Sequence, residues 1–513
     1  MRTPRVAVIG AGIGGLSAAL LLAARGLDVT VLERAPEVGG KMREVVVAGR
    51  PIDSGPTVFT MRWVFDEILE SVGARLEDHL VLHPLAVLAR HAWSEAERLD
   101  LFADIDASAD AIGTFAGAHE ARGYRAFCDR AQRIYATLEP AFIRTPRPTP
   151  VSLALSAGLG GLGALWGVSP FATLWGALGG HFADPRLRQL FGRYATYCGC
   201  SPFLAPATLM LIAHVEQSGV WTVEGGMHRI ARVLRDLATA RGAQFRLNAT
   251  VAEILVRGGR TAGLRLADGD TIACDAVVLN ADAAALAQGL FGAEAARAVP
   301  AMRREDRSLS AITWSLLAEA EGFPLLRHTV FFGRDYAAEF DAVFRHGRLP
   351  GDPTVYVCAQ DRGDEDGATP AQPERLLCLV NAPPRGDQGQ PHAEEVAACE
   401  TRAFEVMARC GLRLRRSAET TVVTTPAGFE RLFPATGGAL YGRTVHGWQA
   451  SFQRPGATTR LPGLYLAGGS VHPGAGVPMA AMSGRLAAER LIADLASTRR
   501  SHATAMPGGT STG

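Results

Sequence analysis

Val6-Ala7-Val8-Ile9 runs without a polar side chain into Gly10-Ala11-Gly12-Ile13-Gly14-Gly15, and no other junction constrains the fold as tightly. A short continuous apolar run reads as a strand buried on both faces, as in a parallel sheet. Leu16 to Arg25 has helical apolar spacing, Gly26 ends it, and Val29-Thr30-Val31-Leu32 is a second strand, so residues 5–33 read as one βαβ unit. In that context Gly10 permits the tight turn, Gly12 lets a pyrophosphate approach the backbone, and Gly15 allows close helix–strand packing. The helix start, with Ile13 and Gly14, offers unpaired N–H groups and a positive dipole end to phosphates. Glu33 follows Gly12 by 21 residues and ends the second strand. A carboxylate there accepts from an adenosine ribose 2′-OH, which favours FAD or NAD over NADP. The turn alone does not choose between those two.

Gly158, Gly160 and Gly163 repeat the spacing, but no β-branched strand precedes them, Pro170 cuts any following helix, and Asp184 does not end a strand. One dinucleotide site is therefore expected. The 513 residues exceed what one core supports and imply two or three domains. The 52 basic and 51 acidic residues nearly cancel and form no basic tract, which argues against a nucleic-acid partner. The eight cysteines lack CxxC pairs and metal spacing, so reduced thiols and no metal site are expected; Cys198-Gly199-Cys200 reads as packing rather than a redox pair. The apolar run from Val6 is broken by glycines and has no cleavage site, so it is not read as a signal peptide.

Residues 60–150 read as largely helical, ending at Pro146, Pro148 and Pro150. Residues 148–183 carry no Asp, Glu, Lys or Arg but eight glycines and Pro170. A clean membrane span needs about 20 apolar residues without such breaks. Two readings stay open: Trp166, Phe171, Leu174 and Trp175 dip into a bilayer interface between flanking arginines, or the stretch is a buried helical pair lining a cavity. Short strands follow from Gln244 to Leu279 with turns at Gly258-Gly259 and Asp268-Gly269-Asp270, and residues 310–380 alternate strands and helices. Leu464-Tyr465-Leu466-Ala467 is a further strand, with a helix from about Met479 to Leu495 and a Ser/Thr/Gly-rich tail expected to be disordered.

Three further segments bear chemistry. Gly39-Gly40-Lys41-Met42-Arg43 combines a glycine doublet with basic residues, and Asp53-Ser54-Gly55-Pro56-Thr57 follows it. Gly468-Gly469-Ser470-Val471-His472-Pro473-Gly474-Ala475-Gly476-Val477-Pro478-Met479 lies between a buried strand and a helix. Such a turn can set backbone N–H groups and a helix N-terminus against the electron-rich edge of a flavin.

Together these motifs resemble the flavin amine oxidase-like superfamily, and within it the bacterial carotenoid desaturases related to phytoene desaturase. The resemblance covers nearly the whole chain. It rests on the βαβ unit, the Gly-Gly-basic and Asp-x-Gly-Pro-Thr segments, Gly219-Val220-Trp221 with Glu224-Gly225-Gly226-Met227, and Gly468 to Pro478. Amine oxidases usually carry an acid just after the C-terminal glycine, where this chain has Gly469-Ser470, which favours the carotenoid branch. Residues 54–66, 469–472 and 478–484 look most like the 1-hydroxycarotenoid 3,4-desaturase (methoxyneurosporene dehydrogenase) subfamily.

The resemblance implies an α/β fold with a Rossmann-like FAD-binding domain from residues 1–70, 230–300 and 460–496. A helical substrate or membrane-contact region at 71–229, a substrate-binding α+β domain at 301–459 and a disordered tail at 497–513 complete the expected division. Implied cofactor contacts are Gly10, Gly12, Ile13, Gly14, Gly15, Glu33, Arg34, Gly40, Lys41, Arg43, Gly55, Pro56, Thr57, Val251, Gly469, Ser470, Gly476, Val477, Pro478 and Met479. The implied reaction is desaturation of an acyclic carotenoid by hydride transfer to the flavin N5 and proton loss, with oxygen or a quinone as electron acceptor. No hydrolytic triad or metal cluster is needed, and His472 and His328 are the weak candidates for the proton acceptor. The implied location is cytoplasmic, peripheral to the inner or photosynthetic membrane. Rival readings are a phytoene desaturase or other carotenoid oxidase and, from another class, a non-redox flavin-dependent isomerase or polyene-binding protein.

Overall fold

The computed structural model describes residues 2–149, 171–363, 370, 373–389 and 393–503. Its first layer is a five-stranded parallel sheet. The strands are β1 (Arg5–Ile9), β2 (Asp28–Leu32), β3 (Gln244–Arg246), β4 (Ala276–Leu279) and β5 (Leu464–Leu466), in spatial order β3-β2-β1-β4-β5. The central strands β1 and β4 are almost wholly buried, as their unbroken apolar runs require. The strand order reverses direction of growth between β1 and β4, and an open parallel sheet forms its ligand crevice at such a point, beyond the carboxyl ends of the strands.

Helices α1 (Ile13–Ala24), α2 (His228–Ala240) and α3 (Val477–Ala503) pack on one face. Helix α1 touches both of the others, and glycine sets the spacing. A Cβ on Gly15 would collide with the Gly10 carbonyl oxygen, and one on Gly484 with the Gly14 carbonyl oxygen. The backbones of β1, α1 and α3 therefore meet without side chains between them.

The second layer is a mixed sheet of eight strands. Ser310–Glu321 pairs antiparallel with Glu374–Ala382, which pairs with Val355–Ala359, then His328–Phe331. Val87–Ala92 joins parallel to His328–Phe331 and carries Arg98–Phe102 at the edge. Alternation along these strands gives the sheet two different faces. Ile312, Trp314, Leu316, Leu376, Cys378 and Val380 pack under the helix Ala393–Arg409 through Cys399, Ala403, Val406 and Met407. Thr313, Leu377, Leu379, Asn381 and Tyr356 turn the other way, toward a cavity. Helices Ile105–Ala116, Ala118–Leu138, Pro185–Gly192 and Leu211–Gln217 form a third, separate apolar core around Phe127, Phe182 and Phe191.

Several local expectations are corrected. Residues 60–150 are not mainly helical through their first half, because Leu82–Pro84, Val87–Ala92 and Arg98–Phe102 are strands, two of them completing the mixed sheet. The C-terminal helix starts at Val477 and runs to Ala503, into the segment expected as a disordered tail. The second glycine pattern at Gly158–Gly163 and Trp166 lie outside the described residues. Of the residues that one of the two open readings places at a bilayer interface, Leu174 is fully buried and Trp175 packs against Phe203 at 4.7 Å between ring centroids, whereas Phe171 is 66% exposed. Among the described residues no helix is long and apolar enough to cross a membrane.

Gly15→Ala should destabilise the fold by roughly 1–3 kcal/mol, the usual cost of overpacking a closed contact. Urea denaturation checks this, and a variant as stable as the parent would contradict the backbone contact.

Candidate functional site

A cavity of about 1120 Å³ opens where the β1 and β4 termini meet the mixed sheet. This is slightly above the roughly 300–1,000 Å³ usual for small-molecule sites. Gly10, Gly12, Ile13 and Gly14 line it at one end. Gly10 has φ +94°, a conformation that favours glycine, and a Cβ on Gly12 would come within 2.6 Å of Asn280 Nδ2. Asn280 itself follows β4, lines the cavity and donates from Nδ2 to the Gly10 carbonyl at 3.4 Å. Gly12 is the N-cap of α1, no side chain caps that end, and the first turn holds no acid. Its free N–H groups and positive dipole end are thus left for an anion. Gly15 does not line the cavity; it closes the turn from behind.

Glu33 lines the cavity at the tip of β2. Its Oε2 accepts from the Ala11 N–H at 2.7 Å and its Oε1 from the Ala35 N–H at 2.8 Å. The two bonds fix the carboxylate while each oxygen keeps a lone pair for a hydroxyl donor.

Gly39 donates its N–H to the Ala11 carbonyl at 2.8 Å, and Gly39 and Gly40 take φ of +115° and +60°, which seats the doublet against the first turn. The basic residues beside it also bind protein. Lys41 Nζ donates to the Leu440 carbonyl at 2.7 Å, Arg43 lies 5.7 Å from the Phe429 ring centroid, and Arg34 donates to the Leu432 and Arg431 carbonyls. Burial pushes the Lys41 and Arg43 pKa values down. All three line the cavity and tie the 424–440 segment across it.

Asp53 does not reach the cavity. It accepts from the Met227 and His228 N–H groups at 2.8 and 3.3 Å and so caps α2, and a Cβ on Gly226 would approach its Oδ2 to 2.7 Å. The two segments Asp53–Thr57 and Glu224–Met227 are thus one structural device, which carries Gly55, Pro56 and Thr57 to the cavity wall. Val251 lines the wall near Glu33, and Gly469, Ser470, Gly476, Val477, Pro478 and Met479 also line the cavity. There the N-terminus of α3 lies beside that of α1, where a Cβ on Gly14 would come within 2.7 Å of Gly468 N and 3.0 Å of the Ala480 carbonyl oxygen, and Ser470 Oγ accepts from the Ala283 N–H at 3.2 Å.

Neither candidate histidine lines the cavity. His472 Nε2 donates to the Phe142 carbonyl at 2.8 Å, and burial, against that hydrogen bond, pushes its pKa down to about 4. His328 Nδ1 lies 2.7 Å from the Tyr356 hydroxyl, which is 2.6 Å from Thr57 Oγ1. Burial, with Arg327 and Arg193 nearby, pushes the His328 pKa down to about 3.

Beyond the glycine-rich end the lining becomes apolar, with Leu138, Phe142, Ile143, Leu211, Ile212 and Val215 on the helical side. At the mouth, the exposed rings of Phe171 and Trp448 meet at 5.5 Å. Arg193, Tyr336, Thr354 and Asn381 also line the cavity, and none was singled out from sequence. Only the strand alternation through Thr313, Leu377, Leu379 and Asn381 carried a readable signal. No group of metal-binding side chains occurs among the described residues, and all eight cysteines are free.

A family profile described as flavin containing amine oxidoreductase matches residues 13–492. The chain is 58% identical over 513 residues to a hydroxyneurosporene desaturase of Rubrivivax gelatinosus, covering 100% of this chain and 98% of that one. It is 47% identical over 498 residues to a hydroxyneurosporene desaturase of Cereibacter sphaeroides, covering 97% and 99%. Among solved structures, putrescine oxidase bound to putrescine is similar in fold, with a TM-score of 0.60 at 15% identity over 96% of this chain and 99% of that one.

The buried histidines set a pH dependence of stability. Burial holds His91 and His328 at about 3 and His446 and His472 at about 4, below the ordinary 6.5. Between those values the unfolded chain binds protons that the folded chain refuses, so stability falls as pH drops below 6.5. Each histidine should contribute about 1.4 kcal/mol per pH unit. Urea denaturation at a series of pH values should show this slope, and His328→Gln should flatten it; an unchanged slope in the variant would contradict the burial argument.

Proposed function

The chain belongs to the flavin containing amine oxidoreductases and is an FAD-dependent oxidoreductase, and we propose that it desaturates an acyclic 1-hydroxycarotenoid, placing a double bond at the 3,4 position. The observation that carries this reading is the full-length likeness to the Rubrivivax desaturase, joined to a single cavity running from the dinucleotide turn into an apolar chamber.

The residues present fit FAD: an uncapped helix end for the pyrophosphate, a glycine-lined approach that a Cβ would close, and a fixed carboxylate for the ribose. When bound, the flavin supplies the hydride-accepting ring. We assign the pyrophosphate to Gly10, Gly12, Ile13 and Gly14, the ribose to Glu33, and the adenosine side to Val251. Gly55 to Thr57, with Gly469, Ser470 and Gly476 to Met479, would flank the ring, and the N-terminus of α3 would stabilise negative charge on it. Arg34, Lys41 and Arg43 close the 424–440 segment over it.

The chamber's main task is alignment and exclusion of water. Leu377 and Leu379 on the sheet and Ile212 and Val215 on the helices grip a hydrocarbon from two sides. Loss of a hydride beside a polyene acidifies the neighbouring C–H, so a weak acceptor suffices. His472 is spent on a carbonyl, whereas Thr57 and Tyr356 connect the wall to His328 Nδ1. The exposed Phe171 and Trp448 at the mouth, with Leu204 at 50% exposure, suit contact with a lipid surface from which an apolar substrate enters. Oxygen or a membrane quinone takes up the electrons.

The purified protein should be yellow and release FAD on denaturation. Given a 1-hydroxylated acyclic carotenoid, it should yield a product lighter by one pair of hydrogens, read by mass spectrometry. A product of unchanged mass would overturn desaturation in favour of isomerisation or mere binding.

A further inference from the structure

Within the largely apolar chamber lies a polar corner with groups not used up by the protein. The Tyr336 hydroxyl and Thr313 Oγ1 are buried and have no hydrogen-bond partner among the described residues, yet both residues line the cavity, as does Thr354. A buried polar atom without a partner costs stability and demands an explanation. Arg193 stands beside them. Its guanidinium carbon lies 5.7 and 5.3 Å from the ring centroids of Tyr197 and Tyr356, and the Tyr336 ring packs against the adjoining Gly192. Nearby carboxylates are engaged elsewhere. Glu216 accepts from the hydroxyls of Tyr194 at 2.9 Å and Tyr197 at 2.6 Å, while Glu339 accepts from the Thr354 N–H at 3.0 Å and Asn381 Nδ2 at 2.8 Å. Those contacts hold both carboxylates in place, and Arg193, which lines the cavity, forms no salt bridge among the described residues.

We propose that Arg193, Tyr336 and Thr354 bind the hydroxyl of the substrate's oxygenated end and thereby choose which bond of an otherwise uniform hydrocarbon is desaturated. This rests on the 1-hydroxycarotenoid reading above. Arg193 donates to the hydroxyl oxygen, and Tyr336 Oη or Thr354 Oγ1 accepts a hydrogen bond from the hydroxyl O–H. In such a substrate the hydroxyl-bearing carbon stands two carbons from the bond to be oxidised, so its subsite must adjoin the ring. The corner meets that condition through Tyr356, which lies under Arg193 and bonds Thr57, a residue assigned to the ring's flank.

The test compares a 1-hydroxylated acyclic carotenoid with the same carotenoid lacking the hydroxyl. The parent protein should prefer the hydroxylated chain in kcat/KM. In Arg193→Met that preference should fall on the order of 10- to 100-fold, as expected when a site built to bind a hydroxyl loses a charged donor. FAD content and its absorbance spectrum should stay unchanged, and Arg193→Lys should restore part of the preference. Tyr336→Phe keeps the ring, should lower the preference by roughly 2- to 10-fold, and carries the test if Arg193→Met does not fold. Equal loss on both substrates, an unchanged preference, or loss of FAD from folded Arg193→Met would overturn the assignment. If the parent protein desaturates neither carotenoid, the functional reading falls first and this inference with it. A parent that prefers the hydroxylated chain alongside variants that keep the preference refutes the subsite alone.

Discussion

Direct backbone contact between β1, α1 and α3 is the constraint on which the rest of the molecule depends. Gly15 lies against the Gly10 carbonyl and Gly484 against the Gly14 carbonyl, so the first helix sits closer to its sheet and to the last helix than any side chain would permit. That proximity brings the starts of α1 and α3 together on the wall of one crevice, although they lie at opposite ends of the chain. Dispersion contacts across such a junction are individually small but numerous, and the closeness makes the geometry stiff. A stiff junction suits a site in which the two helix ends must face the same bound molecule.

The mixed sheet solves a different problem. Each strand must satisfy an apolar helix on one side and a cavity on the other. In Ser310–Glu321 the residues Ile312, Trp314 and Leu316 serve the helix, and Thr313 turns to the cavity. In Glu374–Ala382, Leu376, Cys378 and Val380 serve the helix, with Leu377, Leu379 and Asn381 opposite. The cavity face is mostly hydrocarbon with polar groups at one corner, and the sheet's pairing fixes their positions. In register, Thr313 lies opposite Leu379, and Leu379 opposite Tyr356.

The parallel sheet was legible because its signals are local. A buried strand, a glycine turn and a helix follow one another within residues 5–33, and each residue type has its own steric or electrostatic reason. Glu33 was legible for the same reason. The strands Val87–Ala92 and Arg98–Phe102 were missed because they are short and lie beside helical segments, and their hairpin joins the sheet only through the tertiary pairing of Val87–Ala92 with His328–Phe331. Asp53 was readable as part of a motif but not as the cap of α2, whose first residues lie far along the chain. Arg193 and Tyr336 were unreadable for a related reason: an arginine on a short helical turn looks like a solvated charge until the fold encloses it.

The attachment of Arg34, Lys41 and Arg43 to the 424–440 segment couples two properties that a list of contacts would keep separate. These side chains extend from the dinucleotide end, and the carbonyls and rings they hold belong to the region that carries the mixed sheet. Whatever fills the space beneath that strap orders both ends of it together. By mass action, a molecule bound only by the folded form stabilises every element it helps to order. Cofactor binding therefore stabilises the far wall of the chamber together with the dinucleotide end.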